Sequence, residues 1–186
     1  MSLLVNVADV IALYESRGHR RYGESLSQLE HALQCATLAR TDGARDELVV
    51  AALLHDIGHL ASDSQRDDEQ ALLTYDAVHE ELGARMLTPI FGSEVAQPVA
   101  LHVTAKRWRC TRDPAYFARM SRASQSSFET QGGMLSDEDC QRFEDHPGFR
   151  EALWLRAWDD AAKVTGLDAG TLGDWSDLLG AMALGS

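Results

Sequence analysis

The stretch that decides the fold is LVVAALLHDIGHL, at residues 48–60. It is almost continuously apolar, and its periodicity alone fits a buried strand as well as a buried helix. Ala51, Ala52 and the leucines that follow favour the helix, because these residues have high helix propensity. The sequence therefore predicts a central, buried helix that loosens near Gly58.

Segments with helical spacing of apolar residues, or with helix start and stop signals, flank this stretch on both sides. They span residues 5–15, 25–40, 76–88, 93–104, 113–129, 136–144 and 149–164. The helix at 76–88 is predicted to end before Pro89, and Pro114 suits the first turn of the helix at 113–129. Residues 61–70 are polar and predict a loop. Because no segment alternates as a strand does, the predicted fold class is all-α.

Composition and charge narrow the classes of function. The chain has 186 residues, which suits a single domain over 1–186, and its net charge of −12 disfavours a nucleic-acid partner. No apolar run approaches the roughly 20 residues that cross a bilayer, and the N-terminus lacks the basic lead of a secretory signal. Cys35, Cys110 and Cys140 are too few and too far apart for a disulfide framework. We therefore expect a cytoplasmic protein with reduced thiols that binds neither nucleic acid nor membrane.

Histidine carries the functional signal. Four of the seven histidines fall in predicted helices at intervals of 24, 24 and 23 residues, namely His31, His55, His79 and His102. Each interval accommodates one helix and one connection, so the four imidazoles can project toward a shared centre. Asp56 follows His55 inside the apolar stretch, where an unpartnered carboxylate would be strongly destabilising. A metal ion would be a suitable partner.

A carboxylate in the last long predicted helix completes the candidate ligands. Asp159 is the candidate, with Asp160 as the alternative. Imidazole and carboxylate together suit iron, manganese, zinc or nickel better than copper(I) or calcium. His59 lies one turn after His55 and could support a ligand, bind substrate or lie at the surface.

These residues resemble the HD metal-dependent phosphohydrolase superfamily, whose pattern is visible in His31, His55-Asp56 and Asp159. The additional His79 and His102 resemble its dinuclear branch. A narrower resemblance, over roughly residues 10–165, is to the phosphonate-degrading HD oxygenases, relatives of myo-inositol oxygenase. The further matching segments are Tyr22-Gly23-Glu24, His102 with Lys106, Ser124, Gln131-Gly132-Gly133 and residues 156–163.

The resemblance implies an HD-domain helical bundle, with its core at about residues 10–165, around a mixed-valent Fe(II)/Fe(III) pair. The implied ligands are His31, His55, Asp56 and Asp159 for one iron and His79 and His102 for the other, with Asp56 bridging. Asp159 is preferred to Asp160 because the family's aspartate stands four residues before a lysine, here Lys163. The family uses O2 to cleave the carbon–phosphorus bond of a 1-hydroxyphosphonate. The implied substrate is 1-hydroxy-2-aminoethylphosphonate or its N-trimethyl analogue, and the products are phosphate and glycine or glycine betaine.

The substrate contacts predicted on this basis are Tyr22, Glu24, His59, Lys106, Ser124, Gln131, Arg156 and Lys163. The two lysines and the arginine offer positive charge to the phosphonate, and an arginine fork matches its oxygens. The serine, the glutamine and the histidine would add hydrogen bonds. The tyrosine and the glutamate are expected at the amine, through a cation–π contact and an ion pair.

Two other functions are compatible with the same residues. A hydrolase would use the same ligands to activate water against a phosphate ester or nucleotide. A catalytically silent domain would use its helices to dock a partner, although it would have no need of open metal positions. The matches at Gln131-Gly132-Gly133 and at residues 156–163 favour the oxygenase.

Overall fold

The computed structural model describes residues 4–22, 25–61 and 78–185, and these residues are mainly helical. In chain order the helices are α1 (Val7–Arg17), α2 (Gln28–Thr41), α3 (Asp46–Leu54), α4 (Ile57–Leu60), α5 (His79–Phe91), α6 (Ser93–Arg112), α7 (Pro114–Arg119), α8 (Arg122–Thr130), α9 (Asp137–Glu144), α10 (Phe149–Ala161) and α11 (Ser176–Met182). A 3-10 helix at Leu172–Trp175 precedes α11. Two short strands, β1 (Arg21–Tyr22) and β2 (Leu26–Ser27), pair antiparallel before α2. The all-α prediction is confirmed.

Polar side chains determine where several helices begin. Asn6 and Ser27 precede α1 and α2, and each forms a capping box with the acidic residue three positions later. Ser121 and Ser136 accept backbone N–H bonds at the starts of α8 and α9. Pro114 opens α7, as predicted, because its fixed φ suits the first turn.

The buried apolar stretch forms two helices instead of one. α3 ends at Leu54 and α4 begins at Ile57, so the predicted single helix is interrupted at His55 and Asp56, before Gly58. Asp56 has φ −97° and ψ 10°, between the main helical and extended regions. Neighbouring side chains in a continuous helix point about 100° apart. The interruption lets the imidazole and the carboxylate turn toward the same interior point.

The next two helices are longer than predicted. α5 continues through Pro89 to Phe91, although the sequence predicted its end before the proline. Pro89 lies in the last turn, so its missing N–H removes a single hydrogen bond before the helix ends at Gly92, whose φ of 78° suits a helix stop. α6 runs to Arg112, beyond the predicted end at residue 104, because it packs along α3, α5 and α10.

Two later segments also differ from the predictions. Residues 113–129 form α7 and α8 instead of one helix, because Met120 is extended and Ser121 caps a new start. α10 ends at Ala161 instead of residue 164, and the carbonyl of Ala162 then turns toward His31. The loop predicted at residues 61–70 and the first residues of the helix predicted at 76–88 lie almost entirely outside the described residues.

The core is built around α3. Every residue from Leu48 to Leu54 is buried, and α2, α6, α10 and α11 pack around this helix. The main hydrophobic cluster takes side chains from Val10 in α1 to Leu179 in α11. It therefore extends beyond residue 165, where the sequence placed the end of the core. The buried α3 holds His55 and Asp56 near the centre of the fold.

Two expectations from the composition concern the cysteines and the membrane. Cys35, Cys110 and Cys140 are all buried and form no disulfide, as predicted. In the described part of the chain, each helix is too short or too polar to cross a lipid bilayer.

Gly58 permits the closest backbone approach beside the helix interruption. A Cβ atom on Gly58 would lie 2.0 Å from the carbonyl oxygen of His79 and 2.7 Å from its carbonyl carbon. Both atoms belong to the backbone, so no rotamer change relieves the contact. The absence of a side chain at Gly58 is therefore what lets α4 lie directly against the start of α5.

We predict that Gly58→Ala will destabilise the fold, because α4 and α5 must separate to accept the methyl group. The expected loss in the free energy of unfolding is about 2 kcal/mol or more, as for other overpacked sites. The matched control is Gly180→Ala in α11, where an added Cβ meets nothing within 4 Å. That control should be neutral or stabilising by up to about 1 kcal/mol. Equal urea midpoints for Gly58→Ala and wild type would contradict the close-approach argument.

Candidate metal centre

Four imidazoles and two carboxylates from five elements converge at one buried point. They are His31 in α2, His55 and Asp56 between α3 and α4, His79 at the start of α5, His102 in α6 and Asp159 in α10. Each is less than one-tenth exposed. The structure therefore brings together all six residues that the sequence nominated as metal ligands.

The imidazoles form two pairs through their Nε2 atoms. The Nε2 atoms of His31 and His55 are 3.3 Å apart, and those of His79 and His102 are 3.1 Å apart. Two nitrogen lone pairs at this distance repel unless a cation lies between them. Metal–nitrogen bonds of about 2.1 Å place neighbouring nitrogens on one ion roughly 3 Å apart. The pair spacings therefore fit two ions, one for each pair.

Backbone carbonyls orient the rings from behind. His55 and His102 each place Nδ1 against the carbonyl three residues earlier, at 2.9 and 2.7 Å. His31 places Nδ1 2.8 Å from the carbonyl of Ala162. Because a carbonyl can only accept, Nδ1 of each ring carries a proton, which leaves Nε2 as the atom available to a metal at the centre. This arrangement is typical of histidines that bind metals.

The carboxylate of Asp56 lies between the two pairs and gives one oxygen to each. Its Oδ2 is 3.3 Å from the Nε2 of His55 and 3.7 Å from that of His31. Its Oδ1 is 3.4 Å from the Nε2 of His79 and 3.6 Å from that of His102. A carboxylate in this position fits the bridging role that the resemblance implies.

The second carboxylate belongs to Asp159, which lies beside the first pair only. Its Oδ1 is 3.3 Å from the Nε2 of His31, and its Oδ2 is 3.9 Å from that of His55. Asp160 points away from the imidazoles, toward Tyr116 and Arg156. The geometry thus favours Asp159 over Asp160 as the candidate ligand.

The charges around Asp56 favour an ionised carboxylate. Burial opposes ionisation of Asp56, but the charge of His55 and hydrogen bonds from His55 and His79 hold its pKa well below the usual value. Burial would lower the pKa of His55, but the Asp56 carboxylate raises it to about 9. Burial, followed by the charges of His79 and His55, lowers the pKa of His102 well below its usual value. A buried carboxylate that stays ionised among imidazoles is a suitable site for a metal cation.

Two further rings stack on candidate ligands. Tyr22 lies parallel to His31, with ring centroids 3.7 Å apart, and its hydroxyl donates to Asp159 Oδ1 at 3.1 Å. His59 lies nearly parallel to His79, with centroids 3.9 Å apart. Burial and the charge of His79 lower the pKa of His59 to about 3, so this ring is neutral. Both residues were nominated as substrate contacts, and both lie at the centre.

The three nominated cations lie close to the site, in different settings. Arg156 is buried and pairs through Nη1 with Asp159 Oδ2 at 2.5 Å and through Nη2 with Asp160 Oδ1 at 2.5 Å. Lys163 is partly exposed, with Nζ 3.7 Å from Asp159 Oδ1. Lys106 is buried one turn after His102, and its Nζ donates to the Ser127 hydroxyl at 2.9 Å. Positive charge thus gathers beside the centre in an otherwise acidic protein.

The remaining nominated residues are less centrally placed. Ser124 helps to begin α8, where its backbone N–H and its hydroxyl both bond to the Ser121 hydroxyl. Gln131 is buried at the end of α8. Glu24 lies outside the described residues. Their roles toward a substrate stay predictions.

Sequence reasoning missed two residues near the site. Ser127 meets Lys106, and its position one turn after Ser124 was the available signal. The Sγ atom of Cys35 lies 3.7 Å from the Nε2 of His31, one turn earlier in α2. The potential ligand atoms of His31, Cys35 and His55 lie within 4.8 Å of one another. Burial raises the pKa of the Cys35 thiol, so it stays protonated.

Comparison with known proteins agrees with this geometry. Residues 28–140 match the HD domain family. The match covers more than half of the chain and includes five of the six converging residues, all except Asp159.

The chain belongs to the HD-domain family.

Relatives of this HD domain include two named phosphonate enzymes. A hydroxymethylphosphonate dioxygenase of Gimesia maris is 47% identical over 161 residues, which cover 87% of this chain and 80% of the relative. The [1-hydroxy-2-(trimethylamino)ethyl]phosphonate dioxygenase (glycine-betaine-forming) of Leisingera caerulea is 39% identical, over 85% of this chain and 81% of the relative. An uncharacterised protein of Acanthamoeba polyphaga mimivirus is 36% identical over 165 residues, which cover 87% of this chain and 74% of the relative.

We predict that Asp56→Ala in this HD domain will lose both metal ions, because one carboxylate faces both histidine pairs. The measurement is metal content per chain by elemental analysis after loading and desalting. Asp177→Ala, an exposed aspartate of α11, is the control and should keep the wild-type content. Two retained ions per Asp56→Ala chain would contradict the bridging role.

Proposed function

We propose that this HD domain is a di-iron oxygenase that uses O2 to cleave the carbon–phosphorus bond of a 1-hydroxyphosphonate, giving phosphate and a carboxylate. The observation that carries the proposal is the division of the Asp56 carboxylate between two histidine pairs. The likeness to two named phosphonate dioxygenases supplies the reaction class. An HD hydrolase that acts on a phosphate ester or nucleotide is the alternative, and its reaction would proceed without O2.

The proposed cofactor is an Fe(II)/Fe(III) pair. Its proposed ligands are His31, His55, Asp56 and Asp159 for one ion and Asp56, His79 and His102 for the other. When bound, the pair would supply Lewis-acid and one-electron redox chemistry. Six protein ligands for two ions leave positions for substrate and O2, which suits catalysis better than a closed structural site.

Hydroxymethylphosphonate is the substrate that we place first. An amine-bearing substrate was expected to use the ring of Tyr22, but that ring already stacks on His31. The ammonium group of Lys163 lies over the same ring, 5.9 Å from its centroid. A second cation on this ring would meet like charge. A substrate without an amine avoids that repulsion, and oxidation of its single carbon would yield formate together with phosphate.

The chain's own residues would bind and orient the phosphonate. Lys106 and Lys163 contribute positive charge at the edge of the centre, and the Ser127 hydroxyl lies beside Lys106. A dianion that replaces hydration water with these donors gains charge-assisted hydrogen bonds. His59 is neutral and could donate or accept a single bond from its ring.

We further propose that the enzyme works in the cytoplasm as one unit over residues 1–186. Its three cysteines are free, which suits a reducing compartment. Its main core joins side chains from Val10 to Leu179. The partners that this proposal requires are the small phosphonate and O2.

The experiment is phosphate release by iron-loaded protein from three substrates, each with and without O2. The substrates are hydroxymethylphosphonate, 1-hydroxy-2-aminoethylphosphonate and the N-trimethyl analogue of the latter. We expect release that requires O2 and is fastest with hydroxymethylphosphonate. Faster turnover of an amine-bearing substrate would contradict the argument from Tyr22. No release from any of the three, with hydrolysis of phosphate esters in the absence of O2, would replace the oxygenase with the hydrolase.

We predict that Lys106→Ala will raise the KM for the phosphonate about 10-fold or more, equivalent to roughly 1.4 kcal/mol of lost binding. The physical reason is the removal of a buried positive charge from the anion site, so the iron content should stay at the wild-type level. Ser127→Ala is the matched control, since it removes the neighbouring hydroxyl and keeps the charge. Its KM should rise less. An unchanged KM in Lys106→Ala would exclude that lysine from substrate binding.

A further inference from the structure

Asp160 follows Asp159 directly in α10, yet its carboxylate is held by a different set of groups. Its Oδ1 accepts from the Nε and Nη2 atoms of Arg156, at 3.1 and 2.5 Å. Its Oδ2 accepts from the hydroxyl of Tyr116 at 2.7 Å and from Nη1 of Arg109 at 3.2 Å. Both oxygens are therefore engaged by donors, which come from α6, α7 and α10.

The guanidinium of Arg156 is shared between the two neighbouring carboxylates. Its Nε–Nη2 edge faces Asp160, and only Nη1 reaches Asp159, through Oδ2 at 2.5 Å. An arginine fork prefers to bind one carboxylate through two parallel hydrogen bonds. Asp160 occupies that two-donor edge, so Asp159 receives a single contact from the guanidinium.

The other oxygen of Asp159, Oδ1, faces the candidate metal site. Its Oδ1 lies 3.3 Å from the Nε2 of His31 and accepts the Tyr22 hydroxyl at 3.1 Å. If Arg156 turned its fork onto Asp159, the guanidinium and a metal ion would compete for the same carboxylate. Charge neutralisation by the arginine would also weaken the attraction between Asp159 and the cation.

We propose that Asp160 is a positioning residue for the metal centre. It holds Arg156 by its two-donor edge, so that Asp159 keeps an oxygen for the ion beside His31 and His55. The inference rests on the ligand role proposed for Asp159. Asp160 therefore affects only the ion beside His31 and His55. The ion beside His79 and His102 would lie on the other side of Asp56, away from Asp159.

A purely structural role for Asp160 would have a different signature. Its bonds to Arg109 and Tyr116 also connect α6, α7 and α10, and loss of that connection would lower stability without favouring one ion over the other. Tyr116→Phe removes one donor to Asp160 and leaves the pairing with Arg156 in place. A comparison of Tyr116→Phe with Asp160→Asn therefore separates the positioning of Arg156 from the attachment of α7.

The test is a Mn(II) titration of metal-free protein, with the free ion counted by its electron paramagnetic resonance signal. Wild type should bind two ions. Asp160→Asn should bind one ion with unchanged affinity and one at least 10-fold more weakly, whereas Tyr116→Phe should behave as wild type. In an Arg156→Gln background, Asp160→Asn should not weaken binding of the ion beside His31 and His55 any further. The guanidinium through which Asp160 acts is absent from that background.

Three results would overturn the proposal: equal weakening of both ions in Asp160→Asn, the same selective loss in Tyr116→Phe, or unchanged binding of both ions in Asp160→Asn. The titration requires no substrate, so it is independent of the reaction. A wild-type protein that binds two Mn(II) ions and yet releases no phosphate would refute the oxygenase and leave this test standing. A wild-type protein that binds fewer than two ions would refute both.

Discussion

The buried carboxylate of Asp56, placed among four imidazoles, is the constraint on which the rest of the structure depends. An ionised group in an apolar interior requires positive charge beside it, and the two close pairs of Nε2 atoms require a cation between them. A pair of cations satisfies both demands at once. The interruption between α3 and α4 follows from the same requirement, because it lets His55 and Asp56 face one point. The bare backbone at Gly58 then allows α5 to approach with His79.

Around this centre, groups that need not contact a metal restrict the motion of the groups that face it. Backbone carbonyls hold the Nδ1 side of His31, His55 and His102, and the rings of Tyr22 and His59 stack on His31 and His79. Arg156 and Asp160 form an ion-paired layer behind Asp159. The outer layer thus limits rotation of the ring planes and of one carboxylate. This is the kind of support that sets the affinity and geometry of a metal site.

The sequence predicted the fold class and the six converging residues because those depend on residue type and spacing. Helix-length intervals between histidines were sufficient to bring His31 and His102 to one centre. The interruption at residues 55 and 56 was not predictable, since alanine and leucine propensity favours one continuous helix there. Helix propensity also predicted that α5 would end before Pro89. The helix continues to Phe91, because the missing N–H of a proline removes only one hydrogen bond in a last turn.

The partners of individual side chains were harder to predict than their positions. Arg156 was expected to face a phosphonate, and the structure surrounds it with two carboxylates of its own helix. Tyr22 was expected to meet an amine, and it stacks on His31. Spacing identifies a helix face, but it does not rank the groups that compete for one guanidinium or one ring. Those preferences depend on tertiary distances of a few ångströms.

The most direct test of the central claim is an anomalous difference map, recorded at the iron absorption edge, from crystals of protein loaded with iron in the absence of O2. The expected result is two peaks that flank the Asp56 carboxylate, one beside His31 and His55 and the other beside His79 and His102. A single peak, or two peaks that do not share Asp56, would contradict it.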